Sequence, residues 1–355
     1  MNIFKNDIYS GVKGRELLLE YEILLVDLYG VIWGGANAFP DALDALQEMI
    51  FSGREVIIVS NASTVSSDIM KKYDAVNLRK GVHFTHFVTS GDVMRDTFLC
   101  GKVQLSSGKS AKKYFVCGSL NNAIFANSDL ERTEDLDEAD FVYLSVPRFS
   151  DEERNSMPDA MKKFLYRARV DGEVTSWDST SIEPHIPRLK IFLEKKKLIV
   201  AANPDRFAVC PVLETPKARE YVPKLVVKQG LVAEAYRNMG GEVFATGKPF
   251  PQIYRCALEK LAAFRRKSID QVCKNKIAMI GDTLETDVLG ARNASDDLDC
   301  KIDSILVLTG ISAGEMRENT PGEITADAMN KLFSAKKIFP THVMSALGLN
   351  SEIYF

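Results

Sequence analysis

The chain is poor in the residues that build metal knuckles, disulfide frameworks and membrane spans. It has only 2 tryptophans, 4 histidines and 6 cysteines in 355 residues. The cysteines stand at 100, 117, 210, 256, 273 and 300 and form no CxxC pair, which argues against a zinc knuckle. At this length they read as thiols of a reducing compartment. No apolar run reaches the roughly 18 residues that cross a bilayer. The N-terminal stretch lacks the long apolar segment of a secretory signal, so a cytoplasmic chain with no transmembrane segment is expected. Charge of one sign is also lacking. The 45 Lys and Arg against 48 Asp and Glu leave a net charge of −3, which speaks against a nucleic-acid partner. With 46% hydrophobic and 26% charged residues, the composition excludes disorder and collagen-like repeats. The length suggests two units, or one large domain with an insertion.

Short continuous apolar runs are what the chain does contain. Residues 22–28 (EILLVDL), 55–61 (EVIIVSN), 276–282 (KIAMIGD) and 303–310 (DSILVLTG) each read as a buried strand closed by a polar or glycine signal. The lack of in/out alternation suits parallel strands covered on both faces. Helical stripes lie between them. One begins at Pro251 and carries Ile253, Cys256, Ala257, Leu261 and Phe264 on one face. Others run through Leu231, Ala235, Tyr236 and Met239, and through Leu284, Val288 and Ala291. The alternation predicts an α/β fold with a Rossmann-like, doubly wound parallel sheet. Further strand-like runs at 114–119, 141–146 and 198–203, with a charged helix candidate over 151–170, predict a second α/β unit inserted into the first. The expected division is 1–91 with 226–355 as the core, and 92–225 as the insertion.

Four polar clusters follow the strand-like runs, and in a doubly wound sheet such ends share one crevice. Asp27 follows the first run, and Ser60 with Asn61 the second. Lys248 sits in ATGKP before a helix. Asp282 and Asp287 lie in GDTLETD after the third outer run. Each has a plain reading: a turn, a helix cap, or acids complementing a helix dipole. As a set they are chemically coherent. Carboxylates hold Mg²⁺, which prefers oxygen ligands. A hydroxyl and an ammonium bind phosphoryl oxygens, and a carboxylate attacks phosphorus.

The order DLYGV (27–31), SN (60–61), GKP (247–249) and GDTLETD (281–287) resembles the haloacid dehalogenase (HAD) superfamily. Within it, TSGD (89–92) and ANPDR (202–206) are similar to segments of the class IIA branch, which includes NagD-type and p-nitrophenyl-phosphatase-type enzymes. The resemblance implies a Rossmannoid core with a large α/β cap that sets substrate choice. It implies a Mg²⁺-dependent phosphohydrolase working through phospho-Asp27. Ser60 would bind the phosphoryl group, and Lys248 would neutralise phosphate and nucleophile. The cation would be held by Asp27, the Tyr29 main-chain carbonyl and Asp282, with Asp287 as a further ligand or a support. Asn61, Asn203 and Asp205 are candidates for shaping the substrate pocket. The branch also suggests a homodimer formed through the cap.

One position departs from the family pattern. Two residues after the nucleophile these phosphatases carry an aspartate that protonates the leaving oxygen and then activates water; here that residue is Tyr29. A phenol, with a reference pKa of about 10, stays protonated near neutrality and is a poor base. Alkyl phosphates should suffer most from the change. Aryl phosphates such as p-nitrophenyl phosphate or phosphotyrosine, the latter on a phosphoprotein, should suffer least. Two other readings stay open: a phosphate-ligand binding or scaffold protein on a degenerate frame, and a metal-independent 2-haloacid dehalogenase, which resembles this motif in its Tyr. The pair His83 and His86 reads as extended chain rather than a metal site. His185, Trp33 and Trp177 read as loop or packing residues, with substrate contact as the alternative.

Overall fold

Continuous burial on both faces is what turns the apolar runs into strands. In the computed structural model β1 is Ile8–Tyr9, β2 Ile23–Val26, β3 Glu55–Ser60 and β4 His86–Thr89. Within β2 all four side chains are inaccessible to solvent, as are those of Val56–Val59 in β3. The structure describes residues 8–34, 37–39, 41–74, 77–99, 110–119, 123–125, 128–168, 176–213, 222–319 and 324–348. Cys100 lies outside these. The cysteines at 117, 210, 256, 273 and 300 form no disulfide with one another.

The chain divides into two compact units. The first comprises residues 1–60, 66–89 and 247–355; the second comprises 61–65 and 90–246. The strands of the second unit are β5 Lys113–Cys117, β6 Glu131–Arg132, β7 Phe141–Leu144, β8 Phe149–Ser150, β9 Leu165–Ala168, β10 Ser176–Ser179, β11 Leu198–Ala201, β12 Phe207–Leu213, β13 Val222–Val227 and β14 Val243–Ala245. The first unit resumes with β15 Ile277–Gly281, β16 Ile302–Val307 and β17 His342–Met344.

In the first unit seven strands form one sheet in the order β1-β17-β16-β15-β2-β3-β4, with every pair parallel. The chain winds outward from β2 through β3 to β4, and from β15 through β16 to β17. The direction therefore reverses between the adjacent strands β2 and β15. In an open parallel sheet that reversal leaves a crevice beyond the strand C-termini, where ligands bind. The pairing Val26 with Ile280 and with Ile58 puts Asp27, Asp282 and Ser60 at one end of three neighbouring strands.

The second unit holds two five-stranded sheets. One is parallel, in the order β14-β11-β7-β5-β6; the other is antiparallel, in the order β13-β12-β9-β10-β8. The expected boundary after 225 is corrected here. Residues 226–246 belong to the second unit, because β14 pairs with β11. The preceding helix Gln229–Asn238 also buries Val232, Ala233 and Tyr236 in a cluster with Val142, Leu144 and Ile199. The second unit also begins at 90 rather than 92, and it takes in the short segment 61–65.

A second correction concerns 151–170. No single helix forms there. A capped turn of helix, Asp151–Ser156, gives way to a short one at Asp159–Lys162 and then to β9. Pro158 is the cause: it supplies no N–H and pushes Met157 into extended backbone, with ψ of 151°. Nor is the His83–His86 stretch extended throughout. His83 sits in a turn, where its Nδ1 accepts from the Arg79 amide at 3.0 Å, and His86 opens β4.

Ile280, in the central strand β15 and fully buried, tests this sheet as the core. Ile280→Ala is expected to lower the unfolding free energy by about 2–5 kcal/mol, read by denaturant titration. A loss near zero would place the core elsewhere.

Candidate active site

Four charged side chains from three separate stretches of the first unit meet beyond the ends of β2 and β15. Asp27 leaves β2, Asp282 leaves β15, Asp287 follows five residues on, and Lys248 comes from the loop ahead of the helix Pro251–Arg265. The Lys248 ammonium lies 2.5 Å from Asp27 Oδ1 and 2.8 Å from Asp287 Oδ1. One carboxylate oxygen from each of Asp27, Asp282 and Asp287 falls within 4.8 Å of the others. All four residues are buried, Lys248 to within 1% of full exclusion.

Local structure delivers each acid. The residues after β15 form a π-helical turn, Leu284–Val288, before the α-helix Leu289–Leu298. Such turns are rare and often sit at functional sites. This one brings Asp287 back over the strand end, so that Oδ2 accepts from the Thr283 amide at 3.1 Å. Asp282 is held by the Ile311 amide at 2.7 Å and the Thr283 hydroxyl at 3.1 Å. The loop after β2 is closed by backbone bonds from Gly30 to Trp33 and from Ile32 and Trp33 to Leu28. Gly30 adopts φ of +81°, and a Cβ there would run into the Asp282 carboxylate. Its carbonyl accepts from the Thr309 hydroxyl at 2.5 Å. A Cβ at Gly310 would strike the same carboxylate. Backbone thus presses on Asp282 from two sides and leaves it one position.

The electrostatics follow from burial. Desolvation raises the Asp27 pKa well above the usual carboxylate range; Lys248 opposes that rise, and Asp287 and Asp282 add to it. Burial, with Asp287 beside it, lifts Asp282 to about 7. For Lys248, burial works against the charged form, but Asp27 and Asp287 outweigh it and hold its pKa above the ordinary lysine value. Three carboxylates and one ammonium sum to −3 + 1 = −2 when all are ionised. A dry cluster with that deficit suits a divalent cation with a preference for oxygen. The donor set therefore fits Mg²⁺.

The other sequence candidates fall as follows. Ser60, at the end of β3, is 1% exposed. Tyr29 is 48% exposed, and its hydroxyl lies 2.8 Å from that of Tyr73. Asn61, Asn203 and Asp205 belong to the second unit, where they bind one another. Asn61 Nδ2 donates to Asp205 Oδ1 at 2.7 Å, and the Asp205 amide donates to Asn203 Oδ1 at 2.8 Å. His185, read as a loop residue, is fully buried in the second unit against Phe149, with ring centroids 4.6 Å apart. Trp177 packs in β10 and donates to Asp151 Oδ1 at 2.6 Å. Trp33 packs edge-on against Tyr73 in the first unit, with centroids 5.2 Å apart.

Sequence reasoning passed over two contributors. The Thr309–Ile311 loop braces Asp282 and Gly30; its signal was the Thr-Gly pair closing the 303–310 run. Tyr73 carried no signal, because nothing in its helix, Ser66–Asp74, marks a partner 44 residues upstream.

Among the described residues no helix is long and apolar enough to cross a membrane. Two family models match the chain: a haloacid dehalogenase-like hydrolase model over residues 24–127, and a HAD-hydrolase-like model over 245–332. Chloroplastic phosphoglycolate phosphatase 1A of Arabidopsis thaliana is 23% identical over 316 residues, covering 88% of this chain and 75% of its own. The ribonucleotide monophosphatase NagD of Escherichia coli K12 is 22% identical over 307 residues, covering 84% of this chain and 92% of its own. Among solved structures, a haloacid dehalogenase-like hydrolase from Brucella suis 1330 superposes with a TM-score of 0.65 at 22% identity, over 96% of this chain and 99% of that one. Two family models that between them contain Asp27, Ser60, Lys248, Asp282 and Asp287, joined to this sheet order, make the chain a member of the haloacid dehalogenase-like hydrolases, with NagD among the proteins it is similar to.

Proposed function

We propose that the chain hydrolyses phosphate monoesters through a phospho-Asp27 intermediate and favours esters with acidic, aryl-type leaving groups. The observation that supports this most is the buried Asp27–Lys248–Asp287 ion pair set beside Asp282. The Lys248 ammonium opposes the rise that burial gives the Asp27 pKa, and so favours the carboxylate form that a nucleophile requires. The phosphatase names of the relatives agree with this reading.

Asp27, Asp282 and Asp287 would hold the Mg²⁺, with the Tyr29 carbonyl as a further oxygen donor. The cation would supply charge neutralisation for the phosphoryl oxygens. The chain's own residues do the rest. One Asp27 oxygen forms a bond to phosphorus as the ester P–O bond breaks, and the electron pair leaves on the ester oxygen. Lys248 neutralises the charge gathering on the phosphoryl group, and the Ser60 hydroxyl donates to one of its oxygens. Water then attacks phosphorus, the acyl-phosphate bond breaks, and Asp27 recovers its carboxylate; the water's proton leaves with the phosphate. The machinery so proposed is confined to the first unit. A metal-independent dehalogenase would have no use for a third buried acid that leaves the cluster two charges negative.

Asp27→Asn is expected to cut Mg²⁺-stimulated turnover of p-nitrophenyl phosphate by about a thousandfold or more, while phosphate-ester binding persists. Turnover that survives this change would remove the covalent route. Binding without turnover in the unaltered chain would favour the scaffold reading.

Tyr29→Asp restores a carboxyl at the acid–base position. It is expected to raise alkyl-phosphate hydrolysis by about a hundredfold, measured on a panel of alkyl and aryl esters. No gain in a folded variant would mean that the missing carboxyl does not limit the reaction.

The cluster also predicts a pH dependence. With Asp27 and Asp282 raised by burial, the metal-free folded chain binds protons that the unfolded chain releases near pH 4. The melting temperature without metal should therefore fall as pH rises from about 5 to about 8. Mg²⁺ competes with those protons, so the stabilisation it gives should grow over the same interval. Thermal melts with Mg²⁺ or with EDTA check both trends; a Mg²⁺ effect that shrinks with pH would contradict the proposed ligand set.

A further inference from the structure

The proposed chemistry leaves Tyr29 at the place of the missing acid, and Tyr73 gives that residue a partner. The turn carrying Tyr29 is fixed by the backbone bonds of residues 28–33 and by the Thr309 bond to the Gly30 carbonyl. The Tyr29 side chain stands half out in solvent at 48% exposure. Tyr73 is its opposite. It is 3% exposed, held edge-on against Trp33, and its hydroxyl lies 2.8 Å from the Tyr29 hydroxyl. One side chain of this pair is buried and the other is half exposed.

That asymmetry sets the direction of the hydrogen bond. Had Tyr29 been the donor, the Tyr73 proton would need a second acceptor in buried surroundings. With Tyr73 as donor, its proton is used and the Tyr29 oxygen receives it. The Tyr29 proton is then left for another acceptor. Burial, with Tyr29 beside it, keeps Tyr73 a neutral phenol, which suits a donor.

We propose that Tyr73 is a positioning residue that donates to Tyr29 and aims the Tyr29 hydroxyl at the leaving oxygen of the ester, so that the site selects phosphate monoesters of acidic, aryl-type alcohols. The inference rests on the phosphatase reading above and adds to it a selecting device. As the P–O bond breaks, its electron pair stays on the leaving oxygen, which departs as an anion. Tyr29 donates a hydrogen bond to that oxygen and keeps its own proton. A phenolate needs no more than that, whereas an alkoxide needs the proton itself. Accepting from Tyr73 also strengthens the bond that Tyr29 donates, since chained hydroxyls polarise one another.

The test uses the Mg²⁺-loaded full chain and a series of aryl and alkyl phosphates graded by leaving-group acidity, with kcat/KM as the readout. For Tyr29→Phe the dependence on leaving-group acidity is expected to steepen, with a loss of about tenfold or more on phenyl phosphate, the size of one hydrogen bond to a developing anion. Tyr73→Phe keeps the ring against Trp33 and removes only the donated bond. It is expected to steepen the same dependence less, by about threefold on phenyl phosphate, with an unchanged melting temperature. Equal losses across the whole series in Tyr73→Phe would mark a purely structural role and overturn the proposal. So would an unchanged slope in Tyr73→Phe, whatever Tyr29→Phe does. An unaltered chain that turns over no ester at all would overturn the phosphatase reading, and this inference with it.

Discussion

Everything at the site turns on a lysine ammonium with almost no access to water. Taking such a charge out of water is costly, and the cost is met only where opposite charges and hydrogen bonds surround it. Lys248 has two carboxylates within 2.8 Å, and those acids hold it in the charged state against the pull of burial. The pairing cuts both ways. Asp27 and Asp287 are themselves buried, and Lys248 opposes the rise that burial gives the Asp27 pKa. A third acid, Asp282, shares the same space and finds no lysine of its own. Burial, with Asp287 beside it, raises its pKa to about 7. The cluster is thus balanced for a divalent cation rather than for itself. On the proposed function, this one interaction bears on the charge of Asp27, on the binding of a metal and on the pH response.

Topology explains how residues so far apart in the chain come to share one ammonium. β2 and β15 are neighbours in the sheet although some 250 residues separate them in sequence, and their parallel pairing sets Asp27 and Asp282 at the same end. The reversal of winding direction at this pair keeps covering helices from closing over the strand ends. Chain breaks in regular structure then do the fine placement. The π-helical turn returns Asp287, the Gly30 turn brings backbone against Asp282, and the Thr309–Ile311 loop clamps it from the other side. A side chain at Gly30 or Gly310 would occupy the Asp282 carboxylate's own position, so the acid's geometry depends on what those residues lack.

Much of this was legible in sequence for a simple physical reason. Parallel strands buried on both faces are continuous apolar runs, and their C-terminal residues are the first polar ones after each run. Reading 22–28, 55–61 and 276–282 as strands therefore located Asp27, Ser60 and Asp282 without further effort. The failures came where local pattern and tertiary partner disagree. The helix Gln229–Asn238 has the same amphipathic stripe whichever sheet it covers, so its sequence could not say that its face belongs to the second unit. The charged stretch 151–170 kept a helical composition, but a single proline divided it and sent its end into an antiparallel sheet. His185 looked like a loop residue beside two prolines, yet it is sealed against Phe149 because the segment before the helix Ile186–Glu194 turns inward. Tyr73 was beyond reach altogether, since its role lies in a contact and not in its own neighbourhood.

On the proposed mechanism, Tyr29 separates two half-reactions that a carboxyl would serve together. Forming phospho-Asp27 requires help for the leaving oxygen, and a hydrogen-bonding phenol gives partial help, enough for a leaving group that is already acidic. Breaking phospho-Asp27 requires removal of a proton from water, and a neutral phenol gives none. The second step is the same whatever ester was bound, because the alcohol has already departed. Slowing it therefore imposes one ceiling on turnover for every substrate, while selection among substrates is exercised beforehand, in the step that Tyr29 and Tyr73 still assist. On this account the tyrosine is not simply a lost acid. It would change a general phosphatase site into one that discriminates by leaving-group chemistry at the first step and is paced by the life of its own aspartyl-phosphate at the second.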